Sequence, residues 1–168
     1  MSRRGRLDAV IVGGGVVGCA AALALAKRGL EVALLEASVP PAWQAAKRDL
    51  RVYAFAPDNA RLLDDIGAWS AVRDARLQPY RRMRVWDAAG GGELVFDADK
   101  IARPELGWIV EHSLLVDRLW HALPGAGVRV RAPARAEALE PHEDGVRVRL
   151  DEGVSLDARL VLAADGAD

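Results

Sequence analysis

Apolar runs and a helical pattern follow one another at the start of the chain. Residues 7–12 are too apolar to alternate with polar positions, which is typical of a parallel strand buried on both faces. Good helix formers follow over residues 16–28, and Gly29 supplies a stop signal. Residues 31–36 indicate a second strand. The pattern therefore predicts a βαβ unit with a right-handed crossover.

Helical spacing returns twice after this unit. Residues 37–50 contain two prolines and predict a connection. Residues 57–66 place apolar side chains on one helical face, and a further helical turn is predicted from Trp69. Residues 113–123 predict a longer helix because leucines recur there at helical spacing.

Strand patterns occupy much of the remaining chain. Residues 83–86 and 94–96 flank a glycine-rich loop and predict a hairpin. Residues 160–164 form an uninterrupted apolar run, which predicts a buried parallel strand. An antiparallel meander is predicted from four short segments, which are residues 128–132, 136–139, 146–150 and 154–158. The expected fold class is α/β: a Rossmann-like three-layer fold, present in part, with an antiparallel β-meander.

Composition narrows the classes of function. With 51% hydrophobic and 28% charged residues, the chain has enough apolar side chain for the core of one soluble domain. A net charge of -1 provides no general attraction to nucleic acid, so no nucleic-acid partner is expected. One cysteine excludes a disulfide framework, and three histidines without ligand spacing indicate no metal site. We expect a cytoplasmic protein.

An N-terminal targeting segment is the alternative interpretation of the first residues. Residues 9–26 carry no charge and follow three arginines within residues 3–6, as in a secretory signal. Glycines cluster where the helical apolar centre of such a signal would lie, and each of them weakens a helix. A glycine-rich turn between a strand and a helix accounts for them better.

That turn carries the pattern G-x-G-x-x-G between a predicted strand and a predicted helix. Gly13 permits the tight turn, Gly15 leaves room for a pyrophosphate, and Gly18 lets the helix approach the strand. Val17 lies in the same first helical turn, whose amino end favours negative charge. Glu36 has the spacing of an acid that binds a ribose diol. Its carboxylate would repel a 2′-phosphate, which favours FAD or NAD over NADP.

Several separated motifs extend this picture. They are residues 8–36, residues 49–54, residues 62–69, Gly107-Trp108-Ile109-Val110-Glu111-His112, and residues 160–167. Together they resemble the flavin-dependent aromatic hydroxylases, and among these the hydroxylases of ubiquinone biosynthesis. The resemblance covers nearly the whole chain in the family's order.

The resemblance implies an FAD-dependent monooxygenase that hydroxylates an aromatic or quinol ring with NAD(P)H and oxygen. A polyprenyl substrate would bring peripheral membrane contact. Family members are more than twice as long, so this chain resembles an amino-terminal fragment, and we expect it to retain FAD weakly and to be inactive. It would be a partial FAD-binding domain over residues 1–168, with residues 79–108 as the first strands of a substrate domain.

The resemblance also implies roles for further residues. Arg51 would contact the pyrophosphate or ribose side of the cofactor, where a guanidinium is well suited. His112 takes the place of an amide or other polar residue on the cofactor, and Asp165 and Gly166 match an Asp-Gly motif near the flavin. The alternatives are a solvated arginine, a polar residue at a helix start and an ordinary turn. No residue is predicted to be catalytic.

Two functions of other classes remain open from the residues alone. One is a non-catalytic module that binds an adenine dinucleotide. The other is an NAD-dependent dehydrogenase, although the chain offers no clear acid or base for hydride transfer.

Overall fold

The computed structural model describes residues 6–151 and 153–166, so Ala167 of the C-terminal motif lies outside the described residues. The chain divides into two compact units. Unit 1 combines the chain up to Trp43 with the chain from Val116 onward, and unit 2 is Gln44–Leu115.

The helices and strands are numbered in chain order. They are β1 (Leu7–Val12), α1 (Val16–Lys27), β2 (Val32–Leu35), β3 (Val52–Phe55), α2 (Pro57–Asp65), α3 (Trp69–Ala75), β4 (Gln78–Tyr80), β5 (Arg82–Trp86), β6 (Glu93–Asp97), a short 3-10 helix (Ala98–Ile101), β7 (Gly107–Glu111), α4 (His112–Gly125), β8 (Arg129–Arg131), β9 (Ala136–His142), β10 (Gly145–Leu150) and β11 (Ser155–Ala163).

Unit 1 is built on a six-stranded sheet in the order β8-β2-β1-β11-β10-β9. The first four strands of this order are parallel to one another, and β10 and β9 continue the sheet in antiparallel pairing. Because β1, α1 and β2 form a parallel strand pair with a crossover helix, the predicted βαβ unit is confirmed. The α/β class is confirmed as well, and so is the presence of an antiparallel meander at one end of the sheet.

One predicted member of the meander was assigned to the wrong partner. Residues 128–132 contain β8, which pairs with β2 in parallel, with Ala33 opposite Arg129. The short alternating pattern of β8 does not specify a partner strand, and β8 is preceded by the helix α4 rather than by a hairpin turn from another strand of this sheet. The meander therefore consists of β9, β10 and the start of β11.

The separation of residues 154–158 from residues 160–164 was also wrong. Both belong to β11, whose first part pairs antiparallel with β10 and whose later part pairs parallel with β1. Arg159 interrupts the apolar sequence pattern, but the strand continues through it. Its side chain is exposed, and its Nη1 lies 3.2 Å from Oδ1 of Asp8 in an ion pair. Leu160 is 53% exposed, so this strand is not buried on both faces as expected.

An apolar cluster joins the parallel and antiparallel parts of unit 1. Its buried members come from β1, β2, β10 and β11, and they are Leu7, Val10, Ala33, Leu35, Val148, Leu150 and Ala158. The four residues of β2 are all buried, as the uninterrupted apolar pattern predicts for a central parallel strand. The core therefore fixes the sheet from which the loops of the candidate site emerge.

Unit 2 contains a three-stranded antiparallel sheet, β3-β7-β4, and a separate two-stranded sheet, β5-β6. The β5-β6 pair confirms the predicted hairpin, with residues 87–92 as its loop. The helix predicted over residues 57–66 is confirmed as α2, and the turn predicted from Trp69 is the seven-residue helix α3. The substrate-domain assignment of residues 79–108 remains a prediction. Within the described residues, no helix has the length and apolarity needed to span a membrane.

Two leucines of the same sheet should contribute very differently to stability. Leu34 is fully buried, so Leu34→Ala leaves a cavity and should lower the free energy of unfolding by about 2–5 kcal/mol. The matched variant Leu160→Ala removes the same atoms from an exposed position and should change it by less than about 0.5 kcal/mol. Urea unfolding of both variants measures the difference, and equal losses would contradict the arrangement of β2 and β11.

Candidate dinucleotide-binding site

The glycine turn of unit 1 connects the carboxyl end of β1 to α1 through close backbone contacts. Gly13 has a φ of +106°, a conformation that favours glycine. Its N–H donates to the Leu35 carbonyl at 2.8 Å. A Cβ at this position would lie 2.3 Å from the carbonyl oxygen of Ala164. The turn is therefore confined between the ends of β2 and β11.

The first turn of α1 combines a tight inner side with an open outer side. A Cβ on Gly18 would lie 1.9 Å from the Gly13 carbonyl oxygen, so α1 sits directly against the turn. A Cβ on Gly15 would meet nothing within 4 Å. Val17 is 73% exposed, and no acidic residue lies in this first helical turn. The first N–H groups of a helix have no partner within it, and the open space at Gly15 beside them suits an anionic diphosphate.

The carboxylate of Glu36 lies against the same turn. Its Oε2 accepts the Gly14 N–H at 2.6 Å, and its Oε1 accepts the Ser38 N–H at 3.1 Å. Each carboxylate oxygen has two lone pairs, so each one retains a site for a ligand hydroxyl. The group is fixed by backbone donors and still fits a ribose diol.

Gly14 is enclosed by side chains that the G-x-G-x-x-G pattern does not include. A Cβ there would lie 2.6 Å from Cζ2 of Trp120 and 3.0 Å from Cβ of Glu36. The Trp120 indole N–H donates to the Gly14 carbonyl at 2.7 Å, and the Cys19 thiol donates to the same oxygen at 3.2 Å. Burial, and next the charge of Glu36, raise the pKa of the Cys19 thiol to about 12, so this thiol stays protonated.

Sequence reasoning missed both Gly14 and Trp120. The run of three consecutive glycines was a usable signal for Gly14, because the motif requires only the first and third. No local signal pointed to Trp120, which lies 106 positions after Gly14 and reaches it only through the fold.

The Asp-Gly motif lies beside the glycine turn. The Ala164 N–H donates to the Val12 carbonyl at 2.7 Å, which aligns the end of β11 with the end of β1. The backbone nitrogen of Asp165 is 2.6 Å from the position of a Cβ on Gly13. Asp165 and Gly166 are exposed, and Gly166 has a φ of +88°. The structure thus brings the two predicted segments together, while the role of Asp165 and Gly166 remains a prediction.

Arg51 and His112 belong to a separate polar cluster in unit 2. The His112 N–H donates to the Arg51 carbonyl at 2.9 Å. The Tyr53 hydroxyl and Nδ1 of His112 form a hydrogen bond of 2.8 Å. The Arg51 side chain is exposed, whereas His112 is partly buried. The cofactor contacts predicted for these two residues remain predictions.

Asp49 organises this cluster and was also missed from the sequence. Its Oδ1 accepts the Arg51 N–H at 2.9 Å, and its Oδ2 accepts the Ser113 N–H at 2.8 Å. These backbone hydrogen bonds lower the pKa of the Asp49 carboxyl. Asp49, rather than His112, therefore provides the side-chain acceptor at the start of α4. An acid two residues before Arg51 was visible, but its partner Ser113 was distant in sequence.

Comparisons with known proteins identify relatives of this chain. A family model described as FAD dependent oxidoreductase matches residues 8–76. The 3-demethoxyubiquinol 3-hydroxylase of Escherichia coli (strain K12) is 38% identical over 163 residues, which are 96% of this chain and 41% of that protein. Ubiquinone hydroxylase UbiL of Rhodospirillum rubrum is 41% identical over 164 residues, which are 95% of this chain and 37% of that protein. The resemblance to the flavin-dependent aromatic hydroxylases is confirmed.

A solved monooxygenase structure shares the fold of this chain. The p-nitrophenol 4-monooxygenase PnpA from Pseudomonas putida DLL-E4 matches with a TM-score of 0.76 at 25% identity, over 96% of this chain and 41% of that one. The chain spans about two fifths of the length of the curated relatives described above. FAD is the cofactor of the matching family, in agreement with the resemblance.

The charge of Arg51 should control the protonation of His112. Burial first, and the positive charge of Arg51 second, lower the pKa of the His112 imidazole, while Asp49 acts in the opposite direction. Arg51→Gln removes a cation that disfavours the imidazolium, so it should raise the pKa of His112. Arg51→Lys keeps the charge and should leave that pKa nearly unchanged. An NMR titration of the His112 ring protons measures both, and equal pKa values in the wild type and Arg51→Gln would contradict this assignment.

Proposed function

We propose that this chain forms the nucleotide-binding region of an FAD-dependent monooxygenase that hydroxylates an aromatic or quinol ring with NAD(P)H and oxygen. The observation that carries the proposal is the open helix start at Gly15 beside the fixed carboxylate of Glu36. The relatives in ubiquinone biosynthesis support the reaction class, because they combine high coverage of this chain with a hydroxylase activity in their names.

The pyrophosphate of FAD binds at the amino end of α1. Backbone N–H groups of Gly15 and Val17 face a ligand there without competition from a side chain at Gly15. The partial positive charge of the helix start favours the two phosphate charges. Gly13 and Gly18 serve this site indirectly, because they allow the turn and the helix to pack closely.

The adenosine ribose binds to Glu36. The Gly14 and Ser38 N–H groups hold the carboxylate, which leaves acceptor sites for the 2′- and 3′-hydroxyls. A phosphate on the 2′-oxygen would bring negative charge against this carboxylate, so the bound adenosine is one without a 2′-phosphate, as in FAD or NAD. The match to the FAD dependent oxidoreductase family supports FAD. NAD(P)H is then a co-substrate that contacts the flavin at a site other than the one formed by Glu36.

The remaining predicted residues act toward other parts of the cofactor: Asp165 and Gly166 toward the flavin, Arg51 toward the pyrophosphate or ribose side, and His112 as a polar contact. Asp165 and Gly166 follow the strand next to the glycine turn, at the carboxyl edge of the sheet where such ligands bind. Arg51 and His112 offer a cation and a neutral polar ring on unit 2. FAD, when bound, supplies the redox chemistry by which NAD(P)H and oxygen hydroxylate the substrate.

The substrate is a small aromatic or quinol ring, and the pathway is ubiquinone biosynthesis. The name of the Escherichia coli relative, 3-demethoxyubiquinol 3-hydroxylase, supports a quinol as the substrate class. A polyprenyl chain on that quinol lies in the lipid bilayer, so the protein makes peripheral contact with a membrane during the reaction.

Gly15→Ala should separate ligand binding from folding. The φ of −72° at Gly15 suits alanine, and its Cβ would enter space that no protein atom occupies, so unfolding should change little. The same Cβ would stand where the pyrophosphate binds, and we expect at least about tenfold weaker binding of FAD and ADP. Calorimetry measures affinity. The matched variant Gly91→Ala adds a methyl group to another open position and should keep wild-type affinity.

The same two variants test the redox step in the complete gene product. We expect flavin-dependent oxidation of NADH or NADPH in the wild type and in Gly91→Ala, and its loss in Gly15→Ala. A wild-type protein that binds ADP but shows no such oxidation would be a non-catalytic nucleotide-binding module instead.

Glu36→Gln should change selectivity against a 2′-phosphate. The wild type should bind ADP more tightly than ADP carrying a 2′-phosphate, because the Glu36 carboxylate repels the extra charge. The variant should lose ADP affinity and discriminate less between the two ligands. Glu31→Gln removes the same charge from an exposed site and serves as the control. Unchanged discrimination in Glu36→Gln would show that another group contacts the ribose.

A further inference from the structure

The indole of Trp120 makes a hydrogen bond to the glycine turn that no motif of the sequence explains. Its N–H donates to the Gly14 carbonyl at 2.7 Å, and its ring edge occupies the space into which a Gly14 side chain would project. Trp120 lies on α4, whereas the turn lies between β1 and α1. This contact therefore joins two distant segments of unit 1 at the proposed phosphate-binding loop.

The oxygen that Trp120 holds belongs to the same peptide unit as the N–H of Gly15. A trans peptide is planar, and its C=O and N–H point in opposite directions. When the Gly14 oxygen is fixed toward the indole, the Gly15 N–H is directed to the opposite side. The space around the Gly15 Cβ position is open, so the Gly15 N–H lies beside the site proposed for the pyrophosphate.

A peptide between two glycines needs such a restraint. Neither Gly14 nor Gly15 has a Cβ, so steric hindrance does little to prevent rotation of the peptide between them. In the rotated form a carbonyl oxygen would face the phosphates and repel them. The indole N–H is a donor only, so it bonds the Gly14 oxygen but cannot bond an N–H turned toward it. The Cys19 thiol donates to the same oxygen at 3.2 Å and favours the same orientation.

We propose that Trp120 is a positioning residue for the cofactor diphosphate: its indole N–H holds the Gly14–Gly15 peptide so that the Gly15 N–H points toward the phosphates. The inference rests on the proposed binding of FAD at this turn. Trp120 acts through the backbone and needs no contact with the ligand.

Trp120→Phe tests this role because it removes the indole N–H and keeps an aromatic ring. ADP and adenosine are the probes, since they differ only in the phosphates. We expect ADP to bind about five- to tenfold more weakly to the variant, which corresponds to the loss of one hydrogen bond, with adenosine affinity unchanged within about twofold. Calorimetry measures both ligands. Trp86→Phe makes the same change at an exposed site of β5 and should affect neither ligand.

A second measurement needs no ligand. The Gly14 carbonyl ¹³C shift and the Gly15 amide ¹⁵N shift should move in Trp120→Phe and stay constant in Trp86→Phe. The Trp120 indole hydrogen should exchange with solvent more slowly than that of Trp86. Exchange at equal rates would overturn the inference, because the hydrogen bond would then be absent.

The two proposals fail in different ways. A wild type that binds no ADP overturns the proposed function and this inference with it. A wild type that binds ADP, together with a Trp120→Phe variant that loses ADP and adenosine affinity equally, overturns the inference alone. That result would mean that Trp120 only stabilises the fold around the site.

Discussion

The close approach of backbone to backbone at the start of α1 is the constraint on which the candidate site depends. At Gly13 and Gly18 a single methyl group would come within 2.3 Å and 1.9 Å of a carbonyl oxygen. These contacts bring the helix start to the carboxyl edge of the sheet by a very short turn. A longer turn would move the first N–H groups of α1 away from the ends of the strands. The concentration of glycine here is therefore a requirement of packing before it is one of ligand binding.

The position of β1 in the sheet explains why the other polar groups arrive at the same place. β1 lies between β2 and β11 and is parallel to both, so all three strands end at one edge. Glu36 follows β2, and Asp165 follows β11 by two residues, so an acid flanks the glycine turn on each side. The negative charge of Glu36 is balanced locally by two backbone N–H donors. The partial positive charge at the start of α1 therefore remains available for an anionic ligand.

The parts that could be predicted are those in which the sequence pattern is local. The βαβ unit, the motif from Gly13 to Gly18 and the spacing to Glu36 all lie within about 30 consecutive residues, the length of one such unit. The pairing of β8 and the continuity of β11 could not be predicted from their own patterns, because neither carries information about its partner strand. The Trp120 and Asp49 contacts depend on segments that only the fold brings together. Sequence reasoning therefore found the candidate residues whose pattern is local and missed Trp120 and Asp49, which hydrogen-bond to the segments that carry them.

His112 illustrates how the surroundings of a residue can compensate for a different side chain. The resemblance implies an amide or other polar group at this position, whereas an imidazole could carry a full charge. Burial and Arg51 lower the pKa of His112, which favours the neutral ring. When the Tyr53 hydroxyl donates to Nδ1, the ring hydrogen lies on Nε2. In that arrangement His112 offers one neutral N–H donor, as an amide does, so a different side chain keeps the same hydrogen-bonding capacity without a charge.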